Sequence, residues 1–186
     1  VLSHEGELPY AWFHAHSGGM TERAKVGLGW NKDEPPYVKV TAGNEPSPES
    51  LPDAPELAEA ASWEASFTFE QFENAAAQQG KTIDLASSDT IKITTYGDGG
   101  RADTIFCDNQ TLDAAALRIA LGSTKMRSTL LTSLRLNGSE VLMAGKGYGH
   151  GVGMSQWGAY GMAKSGKTAE DIVTYYFDGV TVEKLW

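Results

Sequence analysis

The sequence predicts an α+β fold of mixed hairpins and short helices, and three observations predict it. Two turn signals, Gly97-Asp98-Gly99-Gly100 and Asn137-Gly138, each separate two runs of strand-forming residues. Helix signals are solitary, each with its own start and stop. Strand and helix do not alternate regularly, as a parallel sheet with crossover helices would require. A chain of 186 residues, 41% apolar and 21% charged, is long enough to bury one sizeable core and too short to demand two, so a single compact domain over 1–186 is expected.

The elements follow in order. Pro9 to His16 is aromatic and strand-like and stops at the turn Ser17-Gly18-Gly19. From Thr41 to Ser62 the chain carries Pro46, Pro48, Pro52 and Pro55, five acidic residues and no Lys or Arg; this composition predicts an exposed loop at 41–62 with one short helical turn. Trp63, Ala65 and Phe67 alternate as in a strand, and Thr68 with Gln71 forms a capping box for a helix through Gln79 that ends at Gly80. Thr90 to Tyr96 and Arg101 to Cys107 form the first hairpin. Leu112 to Leu121 is Ala/Leu-rich, with Thr111 as N-cap and Gly122 as its stop, which predicts a helix. Leu131 to Leu136 and Glu140 to Ala144 form the second hairpin. Met154 to Lys164 and Thr168 to Phe177 read as helices closed by Gly166 and Asp178-Gly179, and Val180 to Leu185 as a last strand.

Composition excludes several classes of function. Fifteen Lys and Arg against 24 Asp and Glu give a net charge of −9, which argues against a general nucleic-acid or anionic-membrane surface. The single Cys107 has no intrachain partner and reads as a small core residue. No run approaches the length of a membrane span. Gly161 to Thr168 satisfies the pattern of a phosphate-binding loop, but the preceding residues are helix-forming rather than a buried apolar strand, so the nucleotide reading is rejected. Gly147, Gly149, Gly151 and Gly153 alternate, and no triplet among them fits a dinucleotide fingerprint.

Seven of the 21 glycines lie between Gly145 and Gly161. Their alternation with Lys146, Tyr148, His150 and Val152 predicts an extended strand with one face stripped of side chains, open to close approach by another backbone or a ligand. Tyr148 and His150 stand on the other face, and the strand runs into a helix start bearing Ser155, Gln156 and Trp157. Free N–H groups at a helix start and a Trp ring suit a sugar ligand. On the alternative reading, the glycines serve tight packing and His150 is merely hydrogen-bonded. His14 and His16, at i and i+2 with Glu5, Glu7 and Glu22 near in sequence, are a candidate zinc or proton-poising pair; the alternative is a hydrogen-bonded polar site.

Gly147-Tyr148-Gly149-His150-Gly151-Val152-Gly153-Met154-Ser155-Gln156-Trp157-Gly158-Ala159, followed by Gly161-Met162-Ala163, Gly166 and Asp171-Ile172-Val173-Thr174-Tyr175-Tyr176, resembles the C-terminal signature of the SpoIID/LytB family. Phe13-His14-Ala15-His16-Ser17-Gly18-Gly19-Met20-Thr21-Glu22, Pro36-Tyr37-Val38 and Ser128-Thr129 are similar to its other motifs. The resemblance implies an extracytoplasmic cell-wall protein acting on peptidoglycan glycan strands, either a lytic transglycosylase or an amidase enhancer without chemistry of its own that partners a wall amidase. It implies that Tyr148, His150, Ser155, Gln156 and Trp157 bind the glycan. The family's catalytic Glu sits on an Ala-rich helix upstream of the histidine motif. No such helix precedes His14, so the chain is expected to begin after it, with Glu22 and Glu7 as fallback acids. In some members a cysteine near the Gly-Gly turn ligates zinc; Ser17 occupies that neighbourhood here.

Overall fold

A computed structural model describes residues 1–184. Ten strands and six helices follow in the order β1 (Leu2–His4), β2 (Phe13–His14), α1 (Ala24–Leu28), α2 (Pro55–Ala61), β3 (Ser62–Thr68), α3 (Phe69–Ala77), β4 (Ile91–Tyr96), β5 (Ala102–Cys107), β6 (Gln110–Asp113), α4 (Ala114–Leu121), β7 (Leu131–Asn137), β8 (Glu140–Lys146), β9 (Met154–Ser155), α5 (Gln156–Lys164), α6 (Ala169–Tyr176) and β10 (Val180–Val182). The architecture is α+β, as the turn and cap signals predict.

Two three-stranded antiparallel sheets, β3-β8-β7 and β4-β5-β6, carry the larger core. Trp63, Phe67, Phe72, Ile105, Leu112, Leu117 and Met126 meet there, with α3 and α4 supplying the helical side. Both expected hairpins form with the expected turns: Leu136 pairs Val141 across Asn137-Gly138, and Ile91 pairs Cys107. The Thr68–Gln71 capping box of α3 is complete. A second cluster joins Tyr37, Val38, Val152, Met162, Ile172, Tyr176 and Phe177 around α5 and α6.

Several expectations change. The strand Pro9 to His16 shrinks to β2, which pairs in parallel with β9 through Phe13–Met154 and His14–Ser155. The 41–62 stretch holds a 3-10 turn at Pro48–Ser50 and the two-turn helix α2, which buries Leu57 and Ala60, so more of it is ordered secondary structure than one helical turn. Residues 110–113 are a third strand of the β4-β5-β6 sheet instead of the start of a helix. The N-cap of α4 is therefore Asp113, whose Oδ1 accepts the Ala116 N–H at 2.6 Å, and not Thr111. Short β1 and α1 carry no sequence signal. Helix α1 has no side-chain cap of its own; Glu34, from beyond its C-terminus, accepts the N–H groups of Ala24 and Lys25 at 2.6 and 2.9 Å. Residues 161–168 form the end of α5, a turn at Gly166 and the N-cap of α6, which is a helix–helix link and not a phosphate loop. The last strand ends at Val182, and Leu185 of its expected span lies outside the described residues.

Candidate functional site

The glycine-rich segment leaves the first core at β8 and enters the second at β9. It is not an extended strand. Gly147, Gly149, Gly151 and Gly153 have φ of +77°, +113°, +82° and +71°, a region that L side chains rarely adopt. Each missing side chain makes room for something specific. A Cβ on Gly147 would meet the backbone of His16 to Gly18, one on Gly149 the His14 side chain, one on Gly151 the Arg101 guanidinium, and one on Gly153 the Trp12 carbonyl. The glycines thus let this segment lie directly against residues 12–18. His16 and Tyr148 exchange both backbone hydrogen bonds, at 3.1 and 2.8 Å, and the Met154 N–H donates to the Trp12 carbonyl. The close approach expected of the bare face is made by the protein's own backbone.

Arg101 lies beneath this seam with no solvent exposure. Its Nη2 donates to the Ser17 carbonyl at 2.7 Å and its Nη1 to the Gly149 carbonyl at 3.3 Å, tying the two motifs together. Burial pulls its pKa down to about 10, so it remains charged, with Glu22 and Glu45 opposing the shift and Arg118 adding to it. Glu22 is also fully buried. Its carboxylate accepts N–H groups of Arg23 at 2.9 Å, Gly99 at 2.9 Å and Arg101 at 3.4 Å, and Gly97 and Gly99 lack side chains where that carboxylate sits. The Gly-rich hairpin turn is therefore a socket for Glu22. Burial raises the carboxyl, and these hydrogen bonds together with Arg101 oppose the rise.

Glu45 is the group the sequence reading missed. Its side chain is 5% exposed and accepts the Ser17 N–H and the Ser155 hydroxyl, each at 2.6 Å, with His16 Nδ1 3.8 Å away. Burial would raise its pKa, but the hydrogen bonds from Ser155 and Ser17 and the nearby His16 hold it below the usual carboxylate range. Acidic residues in a Pro-rich stretch gave no sign of burial; the available signal was Gly43 beside it, which accepts the Tyr176 hydroxyl through its carbonyl.

The candidate ligand-binding residues divide into two sets. Ser155 is fully buried; it caps α5 by accepting the Gly158 N–H and binds Glu45, a structural role. Tyr148, His150 and Trp157 are half-buried and Gln156 is exposed, so these four reach the surface. Arg127 stacks its guanidinium 5.3 Å from the Tyr148 ring centre, and Trp157 packs edge-on against Tyr160.

His14 and His16 are both buried. His14 Nδ1 lies 3.2 Å from the Val152 carbonyl; a carbonyl only accepts, so Nδ1 carries the proton and Nε2 is a bare lone pair, without a partner among the described residues. His16 Nδ1 accepts the Gly18 N–H at 2.9 Å. Among the described residues no set of three His, Cys, Asp or Glu side chains is arranged to hold a metal. His16 Nδ1 is engaged by the backbone and lies 3.8 Å from Glu45, so that nitrogen is not free for a metal in this arrangement.

His150, edge-on to His14 at 5.7 Å, has its pKa lowered to about 4 by burial first and then by the charges of Arg101 and Arg118. The unfolded chain binds a proton on this ring near pH 6.5 and the folded protein does not until about pH 4, so stability falls as pH drops through that window. Between about pH 7.5 and about pH 5 the loss from this residue is about 2 kcal/mol. Urea unfolding at the two pH values measures it, and His150→Gln should remove that share of the difference; an unchanged difference would show that His150 is not its source.

Comparison with known proteins follows the site. The chain is 32% identical over 197 aligned positions to stage II sporulation protein D of Bacillus amyloliquefaciens, spanning 99% of this chain and 48% of that protein. It is 30% identical over 185 positions to stage II sporulation protein D of Bacillus subtilis, with the same 99% and 48% coverage. It is 38% identical over 72 residues, 39% of this chain and 10% of the relative, to the amidase enhancer of Bacillus subtilis. The chain thus spans about half the length of the sporulation relatives it matches. No family model matches it.

Proposed function

The chain belongs to the SpoIID/LytB family, and from that premise we propose that it binds the glycan strands of peptidoglycan outside the cytoplasm, as the substrate-holding part of a lytic transglycosylase. The observation that carries the reading is the seam between residues 12–18 and 147–157. A rigid buried frame of Arg101, Glu22, Glu45 and Ser155 supports a surface of Tyr148, His150, Gln156 and Trp157, which is a fixed polar and aromatic lining for a saccharide. No helix among the described residues is long and apolar enough to cross a membrane.

A lytic transglycosylase protonates the glycosidic oxygen as the C1–O bond breaks. The sugar's own 6-hydroxyl then adds to C1 and gives up its proton to the same carboxylate, closing a 1,6-anhydro ring. Neither buried carboxylate of the seam suits the first step. Glu22 has no exposure and is filled with backbone N–H donors, and Glu45 is held ionised. Glu7 is exposed at the surface. The acid of the reaction is therefore neither Glu22 nor Glu45, and the share of the seam is to orient the sugar.

Sedimentation with insoluble, peptide-free glycan strands tests the binding. The chain should co-sediment, and Trp157→Ala and Tyr148→Ala should each weaken binding at least about fivefold while leaving the fold intact. Failure of the unaltered chain to bind sinks the proposal. The identity with an amidase enhancer supports a second reading, a non-catalytic wall-binding module. It requires that adding the chain raises the rate of a wall amidase on intact peptidoglycan.

A further inference from the structure

Helix α3 and the end of α4 enclose a groove of about 250 Å³, separate from the seam. Strand β3 sets the separation. Ser62 pairs with Lys146, the neighbour of Gly147, and Phe67 at the groove lies five residues further along the strand, about 17 Å away. Phe67 and Leu121 give the groove an apolar lining, and its rim is polar in one particular way. Gln71, Asn74 and Gln78 follow at i, i+3 and i+7, one exposed row along α3 and its C-cap. Gln71 Oε1 accepts the Thr68 N–H at 3.1 Å, which leaves its NH₂ group free. The side chains of Asn74 and Gln78 make no hydrogen bond among the described residues. Asn is a poor helix former, so the helix itself gives no reason for it at an exposed interior position.

The neighbouring Gln79 shows what a carboxamide on this helix does. Its Oε1 accepts the Asp113 N–H at 2.9 Å and its Nε2 donates to the Asp113 carbonyl at 3.1 Å, so one side chain holds both polar groups of one backbone residue of β6. A carboxamide carries a donor and an acceptor, as a peptide group does. The row from Gln71 to Gln78 runs about 10 Å at 1.5 Å per residue, the span of three extended residues. Lys125 stands beside the row. It is exposed, lies 4.5 Å from the Phe67 ring centre and forms no ion pair among the described residues. An ammonium beside a row of carboxamides complements a peptide that ends in a carboxylate. A sugar is served less well, because Phe67 is 1% exposed and offers no open ring face for stacking. The volume lies below the usual range of small-molecule sites, which limits the ligand to two or three small residues.

We propose that this groove binds a short peptide of small residues through its backbone and its free terminal carboxylate, which in the wall is the D-alanine end of a stem peptide. Gln71, Asn74 and Gln78 hold the backbone and Lys125 the carboxylate. The assignment to the wall rests on the reading of the chain as a wall protein. The strand in the seam is free of peptides, so the bound peptide belongs to a neighbouring strand, and the groove tethers the chain to the wall.

Nitrogen–proton correlation spectra of the folded chain test this, because the side-chain NH₂ groups of Gln71, Asn74 and Gln78 give their own signals. The probes are N-acetyl-D-alanyl-D-alanine, its C-terminal amide and N-acetyl-L-alanyl-L-alanine. The first should shift those three signals and saturate them, with the amide binding at least about fivefold more weakly. Lys125→Gln should remove that difference. Asn74→Ala should weaken binding at least about threefold while raising the thermal midpoint, since Ala is the better helix former; a structural Asn74 would show no such trade. Absence of shifts at about 20 mM peptide, or shifts confined to Tyr148 and His150, overturns the groove. Equal binding of acid and amide overturns the role of Lys125, and equal binding of the L-peptide overturns the wall as its source. Lys125→Gln should leave co-sedimentation with peptide-free strands unchanged, so failure of the groove and failure of the glycan reading are told apart.

Discussion

Arg101→Met lowers the stability of the fold by about 3–5 kcal/mol, the cost of removing one member from a buried set of charges. The side chain volume is nearly kept, so the loss does not come from a cavity. It comes from the Ser17 and Gly149 carbonyls, which lose their donors, and from buried Glu22, whose raised pKa the Arg101 charge opposes. Urea denaturation at neutral pH, followed by Trp fluorescence, measures the loss. A second variant separates the causes: with Glu22→Gln in the background, the buried negative charge is absent and Arg101→Met should cost less, by about 1–2 kcal/mol. A loss below about 1 kcal/mol in the single variant would mean that Arg101 does not hold the seam.

Gly158→Ala destabilises by at least about 3 kcal/mol, against the usual sign. In a helix interior Ala is favoured over Gly by about 1 kcal/mol, and Gly158 sits in α5 with ordinary helical φ. Yet its missing Cβ is where the Gly43 carbonyl and the Tyr176 hydroxyl lie. Helix α5 thus touches the 43–45 turn through bare backbone, and that contact places Glu45 against Ser155. A methyl there pushes the turn away, and both Glu45 bonds stretch with it. Thermal unfolding of Gly158→Ala beside the parent protein measures the loss. A Gly158→Ala protein as stable as the parent would show that the turn is not seated on the helix.

The legible part of this molecule is the part built by local rules. Asn137-Gly138 and the Thr68–Gln71 box each specify their element within four residues, and each forms as read. The illegible part depends on partners distant in sequence. Helix α1 is capped by Glu34 from ten residues downstream of Ala24. Residues 110–113 have no strand pattern of their own and pair because β5 offers an edge. Glu45 looks like one more acid in a solvated stretch until Ser17 and Ser155 close over it. At the site, alternating glycines correctly marked a close approach, but an alternation of two was read as extended backbone, because period alone does not reveal the sign of φ. Tyr148, His150, Gln156 and Trp157 do reach the surface; Ser155 serves the frame instead.

The path from Gly147 to Gly153 has a consequence for what evolution and design can write there. Every second residue sits in the half of conformational space natural to the opposite enantiomer, so the backbone follows the course of a polymer that alternates left- and right-handed monomers. Ribosomal synthesis offers one achiral residue for such a course. The segment's spelling is therefore dictated by stereochemistry at Gly147, Gly149, Gly151 and Gly153, and of the intervening letters only Tyr148 and His150 reach the surface to carry recognition, Val152 being buried.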